Sequence, residues 1–310
     1  MSPPPSAVAI PSELPSAGDA RAAARGTTVL LALLAVYVVW GSTYLAMRIV
    51  VESVPPMLMG ACRFTAAGTI LLAVGRVRVG RFLSWREWKG AIPAGVLLFV
   101  GGNGFVAIGE TAVSSGVAAV VVATMPLWMA VIGSAFGERP RGREWLGIAF
   151  GVAGVVILMS GAELSAEPTA AIVLACSPLS WALGSTIARR TPQAPGFLAA
   201  GAQQLAGGLA MFAASAVRGE RWPSAVSAPS AWALVYLIVF GSLVAFSAYA
   251  WLLRNTRPAV ATSYAFVNPP LAVLLGALVG SEAIGTATLV GTPVIVAAVV
   301  LVVGKPRPRR

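Results

Sequence analysis

Apolar runs of about twenty residues follow one another along almost the whole chain, and short segments between them hold nearly all of its charge. A helix of that length spans the hydrocarbon core of a bilayer, and no other feature narrows the fold as far. Composition agrees. Apolar residues make up 57% of the 310, and charged residues only 11%. A soluble globule carries roughly a quarter charged residues, so this chain could not cover a water-facing surface.

The runs predict helices near 28–48, 56–75, 90–109, 113–136, 145–161, 168–188, 197–217, 230–252, 259–280 and 285–303. The fold class expected is therefore an all-α integral membrane protein with ten transmembrane helices. Residues 1–26, rich in Pro, Ser and Ala, read as a disordered tail, and 305–310 as a basic tail. Arg21 and Arg25 precede the first run as in a signal peptide. The run has bilayer length and no A-x-A-like site ends it, so it reads as an uncleaved helix.

The net charge of +11 has a topological reading. With the N-terminus in the cytoplasm, eighteen of the 22 Lys and Arg residues fall in cytoplasmic segments. The 76–89, 139–143, 189–190 and 254–257 loops and both tails carry them. Only Arg48, Arg218 and Arg221 fall outside, and Arg63 lies within a helix. This bias places both termini in the cytoplasm, in a cell (inner) membrane. It also sets nucleic acid aside as a partner, because the basic residues form no folded face. Cys62 and Cys176 sit in apolar stretches, and histidine is absent. Disulfide frameworks, metal sites and His-dependent catalysis are thus unsupported. No Walker motif or GxGxxG suggests a nucleotide, and no cofactor is expected.

The chain also repeats itself. A shift of 143 residues lays Val117, Ala118, Pro126, Gly133 and Gly137 on Val260, Ala261, Pro269, Gly276 and Gly280. After a slip of one, Glu138, Gly147 and Ala153 match Glu282, Gly291 and Ala297. Gly60-Ala61 matches Gly201-Ala202 at a shift of 141. The units expected are a first five-helix repeat over 27–161 and a second over 162–304. Five is odd, so two such halves must be inverted, an architecture of secondary transporters.

Two stretches carry a resemblance. Trp40-Gly41-Ser42-Thr43-Tyr44 leads to Glu52-Ser53-Val54-Pro55-Pro56 and Arg63-Phe64, and Ala261-Thr262-Ser263-Tyr264-Ala265-Phe266-Val267-Asn268-Pro269 leads to Gly280-Ser281-Glu282. These, with the segments from Pro126 to Glu138 and Pro269 to Glu282, resemble EamA-type members of the drug/metabolite transporter superfamily over about 28–304. The resemblance implies ten helices, cytoplasmic termini and export of small metabolites such as amino acids or drugs. It also implies a central cavity lined mainly by the first, third, fourth, sixth, eighth and ninth helices. The double proline Asn268-Pro269-Pro270 departs from the pattern and is expected to break its helix sharply.

Arg63 is the one basic side chain well inside a span, roughly 10 Å below the outer surface at 1.5 Å per residue. It reads as a contact for a carboxylate or phosphate. The alternatives are a structural pair with a backbone carbonyl or Glu110, or snorkelling. At the matching place in the second half stands Gln204. Asn103, within Gly101-Gly102-Asn103-Gly104, suits a cavity wall or an interhelical hydrogen bond. Trp40, Tyr44, Trp128, Trp181, Tyr249 and Tyr264 are candidates for an aromatic lining, with Trp181 and Tyr264 the deeper ones. Thr124 and Asn268 complete the substrate-binding candidates, although Thr124, like Ser180, Ser185, Ser242 and Ser247, more often joins helices. Pro126 and Pro269 are candidate hinges, or static kinks. Acidic residues are expected only near helix ends, which argues against a deep carboxylate for a drug cation. Proton coupling through Glu110 stays open.

The function expected is a secondary transporter that exports a small amino-acid-like metabolite or a drug by alternating access, working as a monomer in the bilayer. A passive facilitator or channel is the alternative, and a membrane-embedded enzyme lacks the catalytic groups it would need.

Overall fold

A computed structural model describes residues 17–135, 142–159, 167–256, 258–261 and 263–303. Its regular structure is helical throughout, with no strand among the described residues. Gly137, Glu138 and Thr262, used above in the repeat and the resemblance, lie outside them. Seven helical stretches are long and apolar enough to cross a membrane: Gly26–Val51 (α1), Pro56–Val79 (α2), Trp85–Gly109 (α3), Ser115–Ala135 (α4), and, after Gly142–Met159 (α5), Pro168–Arg190 (α6), Phe197–Val217 (α7) and Ala228–Asn255 (α8). Tyr264–Leu278 (α9) and Thr286–Val303 (α10) follow. Shorter apolar stretches lie in α5, α9 and α10.

Local signals set several of these boundaries. Pro56 opens α2, where its missing N–H costs nothing. Gly80 ends it at φ 76°, a left-handed cap that a side chain would strain. Ser84 then opens α3 with a capping box, its backbone N–H donating to Glu87 Oε2 at 2.7 Å. The first helix begins at Ala17, inside the stretch read as a disordered tail. The Ala-rich sequence there has high helix propensity and lengthens α1 backwards.

Helix contacts link the early part of the chain to the late part. The most extensive runs between α2 and α7. A Cβ added at Gly201 would stand 2.6 Å from the Leu72 backbone nitrogen, and one at Gly208 2.5 Å from that of Thr65, so these two backbones touch. α5 packs on α10, where Arg143 Nε donates to the Leu301 carbonyl at 2.9 Å. The first segment of α4 packs on α9. The middle of α3 packs on α6, where Ser180 Oγ donates to the Leu97 carbonyl at 2.8 Å. α1 packs on α8, where Ser230 Oγ donates to the Ile49 carbonyl at 2.8 Å.

Three helices widen into π-helical turns, at Val36–Trp40, Val96–Gly104 and Leu237–Ala245. Such turns often mark functional positions. The second and third are related by the same 141 residues that relate Gly60 to Gly201.

The double proline behaves differently from expectation. α9 runs unbroken through Pro269 and Pro270, and a turn lies earlier, at Ser263. In α4 the turn likewise falls at Ala123 and Thr124, ahead of Pro126. A proline removes the hydrogen bond to the carbonyl four residues before it, so the ladder loosens upstream of the ring.

The two ends of the bundle differ in charge. At one end, Glu220 accepts from the first-turn N–H groups of α2, Met57 at 3.3 Å and Leu58 at 2.9 Å. Glu282 accepts from Ser115 N at 3.0 and 3.1 Å and from Ser115 Oγ at 2.8 Å, at the start of α4. Both carboxylates meet the positive end of a helix dipole. At the other end, Arg76 and Arg78 lie over the rings of Phe82 and Phe197, and Arg254 donates to the carbonyls of Ala194 and Gly196. These are called the carboxylate end and the basic end below.

Candidate functional site

A chamber of about 60 Å³ lies where α1, α2, α3, α4, α6, α8 and α9 meet. Its wall is mainly aromatic. Trp40 stands at the centre, with ring centroids 5.6 Å from Trp181, 5.1 Å from Tyr264 and 5.0 Å from Tyr249. The Trp181 and Tyr264 contacts are edge-to-face, the arrangement that ring quadrupoles favour. Trp40 Nε1 donates to the Gly241 carbonyl at 3.2 Å, which fixes the indole at the wall. Tyr44, 8% exposed, continues this wall one turn along α1.

The π-helical turns place much of the lining. Val96–Gly104 supplies Phe99, Gly102 and Asn103; Leu237–Ala245 supplies Gly241; and Trp40 ends the first wide turn. A wide turn displaces side chains from helical register and frees carbonyls such as that of Gly241 for side-chain donors.

Arg63 is 3% exposed and reaches the chamber from α2. Its Nε donates to Ser242 Oγ at 2.8 Å and its Nη1 to Met47 Sδ at 3.3 Å, while the guanidinium lies 4.6 Å from the Phe64 ring centroid. No carboxylate hydrogen-bonds to it among the described residues. A guanidinium has five N–H donors, so this one keeps capacity for an anion.

Of the eight residues expected to touch substrate, Trp40, Tyr44, Arg63, Asn103, Trp181 and Tyr264 line the chamber. Thr124 and Asn268 do not. Thr124 is buried with its Oγ1 donating to the Val121 carbonyl at 2.8 Å, which satisfies the turn ahead of Pro126. Asn268 is 2% exposed, and the amide orientation that satisfies it puts the nitrogen 3.3 Å from the carbonyls of Tyr37 and Tyr264. It thereby bridges α1 to the start of α9. Phe64, Phe99 and Phe246 escaped the sequence reading; Phe64 follows Arg63 and Phe99 precedes the glycine cluster, which were the available signals.

A second cavity, of about 420 Å³, lies toward the basic end and shares Phe246 with the chamber. Ser185, Arg189, Gln193, Gln203, Tyr249 and Arg254 line it. Among the described residues no group of three or more His, Cys, Asp or Glu side chains could hold a metal.

Glu110 lies where the sequence puts it, at the end of a helix, but it is fully buried there. It follows α3 at the carboxylate end and is 0% exposed, with neither carboxylate oxygen hydrogen-bonded. The linear sequence puts it at a boundary, but α1 and the segment around Glu282 cover that boundary.

This helical fold with an aromatic chamber has clear relatives. The EamA-like transporter family matches residues 27–160 and 168–304, and the chain belongs to that family. It is 44% identical over 272 residues to the inner membrane transporter YedA of Escherichia coli K12, covering 87% of this chain and 89% of that one. It is 24% identical over 273 residues to the transporter YoaV of Bacillus subtilis, covering 86% and 94%. The WAT1-related chloroplastic protein At3g02690 of Arabidopsis thaliana is 26% identical over 284 residues, covering 87% of this chain and 68% of the relative. A solved crystal structure of 23% identity covers 89% of this chain with a TM-score of 0.62, a likeness in fold alone.

Proposed function

We propose that the protein is a secondary transporter of the inner membrane that exports a small amino-acid-like metabolite or a drug by alternating access, with protons as the coupling ion. Ten helices form two inverted five-helix halves, 27–161 and 162–304, both termini are cytoplasmic, and the working unit is a monomer. The basic end is then the cytoplasmic end.

Three features support the two halves. α2, α4 and α5 pack on α7, α9 and α10, their counterparts five helices later. The α3–α6 contact has its exchanged counterpart in α8–α1. The π-helical turns of α3 and α8 recur at the repeat spacing. An axis in the membrane plane relates such halves, and substrate sites of transporters built this way lie between them near the midplane.

The observation that carries the substrate class is Arg63, a buried guanidinium in an aromatic wall without a carboxylate partner. Intramembrane charge costs several kcal/mol and is kept where it serves transport. Such a wall suits an amphipathic solute with a carboxylate, and Trp40, Tyr44, Asn103, Trp181 and Tyr264 would contact the rest of it. Thr124 and Asn268 act through the helix breaks, and Pro126 and Pro269 are the hinges.

The test is flux in proteoliposomes loaded with amino-acid-like metabolites. Uphill efflux driven by a proton gradient and abolished by an uncoupler is expected. Flux that only follows the substrate's own gradient would make the protein a passive facilitator. Medium profiling of overexpressing cells supplies the candidate substrates.

A further inference from the structure

Glu110 has no part in the chamber wall, yet its environment is unusual for a carboxylate. It is 0% exposed and both oxygens lack a donor. An ionised carboxylate removed from water without donors costs far more than its neutral acid form, so such a group neutralises unless a cation binds it.

The cations nearby do not bind it. Arg48, from α1, directs its Nη1 to the backbone carbonyl of Glu110 and not to the side chain. Arg63, from α2, is turned to Ser242 and Met47. Tyr44 of α1 and the carboxylate of Glu282, beyond α9, complete the titratable groups whose fields meet that of Glu110. Ser115 of α4 spends both its N–H and its hydroxyl on Glu282. From α6, Leu174 lies against the neighbouring Gly109.

Carboxylates at this end tie late parts of the chain to early ones. Glu282 holds the start of α4, and Glu220 holds the start of α2. Val54 and Val113, at the turns beside them, are 5% and 2% exposed. If the halves part at this end, as alternating access requires, water reaches Glu110.

We propose that Glu110 is a proton-operated latch on the carboxylate end, neutral while that end is closed over it and ionised when it opens to water. On opening, the carboxyl O–H bond breaks and the proton passes to water; on closing, a proton returns from the same aqueous phase, so the site gates that end by pH and carries no proton across the membrane. This rests on the alternating-access reading above. Because the closed state binds one more proton than the open one, acid favours closure and alkali favours opening.

Infrared spectroscopy of the purified full chain tests the charge state without any substrate. At neutral pH a protonated-carboxyl C=O band is expected, shifting in heavy water, lost in Glu110→Gln and retained in Glu282→Gln. Should Glu110→Gln fail to fold, Glu110→Asp must move the band and alkaline titration of the unaltered protein must remove it. A missing band, or one that Glu110 substitutions leave in place, overturns the proposal. The second arm uses Val54→Cys in a background without Cys62 and Cys176, probed with a membrane-impermeant maleimide. Labelling is expected to rise more steeply with pH when Glu110 is present than in Glu110→Gln. Equal pH dependence overturns the gating role. Neither readout uses flux, so absence of flux would sink the transporter reading alone.

Discussion

Arg63 and Gln204, which stand 141 residues apart like Gly60 and Gly201, converge on one residue: Arg63 Nε donates to Ser242 Oγ at 2.8 Å, and Gln204 Nε2 to the Ser242 carbonyl at 3.0 Å. Two unlike polar groups thus meet at a single point in α8. Ser242 belongs to the wide turn at Leu237–Ala245, where the helical ladder is relaxed and a carbonyl can accept a side chain.

The first prediction follows from that convergence. Arg63→Ala should weaken binding of carboxylate substrates about tenfold or more, since a hydrogen bond to a charged group is worth about 1.5–3 kcal/mol. Ser242→Ala should cost less, because the cation stays but loses its orientation. Arg63→Lys should fall between, keeping charge without the planar fork. Competition assays with carboxylate and decarboxylated analogues measure the difference. Equal loss for both analogues would make Arg63 structural.

The α2–α7 contact yields a stability prediction. Gly201→Val would drive a side chain against the Leu72 backbone, which cannot step aside as a side-chain tip can. Overpacking of this kind costs about 1–3 kcal/mol. A lower thermal midpoint and loss of monodispersity in mild detergent are expected. Gly26→Ala, with open space around its position, should leave both unchanged.

The two bridging carboxylates should behave as helix caps. Glu220→Gln and Glu282→Gln are each expected to lower stability by about 0.5–2 kcal/mol, through weaker bonds to α2 and α4 and loss of charge at the dipole. Each carboxylate holds two donors at its helix start, Met57 N and Leu58 N for Glu220 and the N–H and hydroxyl of Ser115 for Glu282, so the two costs should be similar. The effects should add, because different helices are capped. Thermal melts of the single and double variants check this.

Topology can be read with reporters. Alkaline phosphatase joined after Arg221 should be active, and joined after Arg310 inactive, while a fluorescent protein should show the reverse. The opposite pattern would invert the assignment of the basic end.

How much was legible differs from residue to residue. Arg63, Trp40 and Tyr264 could be found because a charge or a large ring in an apolar run is conspicuous. Thr124 and Asn268 looked equally suitable, yet their polar atoms are consumed by carbonyls loosened near the prolines. Phe246 faces the chamber while exposed Phe240 does not, and nothing in their immediate sequence separates them. The wide turns were invisible because they are a register shift of the backbone ladder, which no residue type specifies.

By itself the sequence determined which segments are helical and apolar enough for a membrane, which loops are basic, and which residue pairs recur at shifts of 141 to 144. Transfer into lipid is a local free energy, summed residue by residue, so composition suffices for it. Tertiary structure decided which face of each helix meets a neighbour, that Glu110 is covered, and that Arg63 and Gln204 share Ser242. Lipid tails and the protein interior are equally apolar, so the pattern that marks an inward face in water is absent here. Only packing of the helices tells the two faces apart.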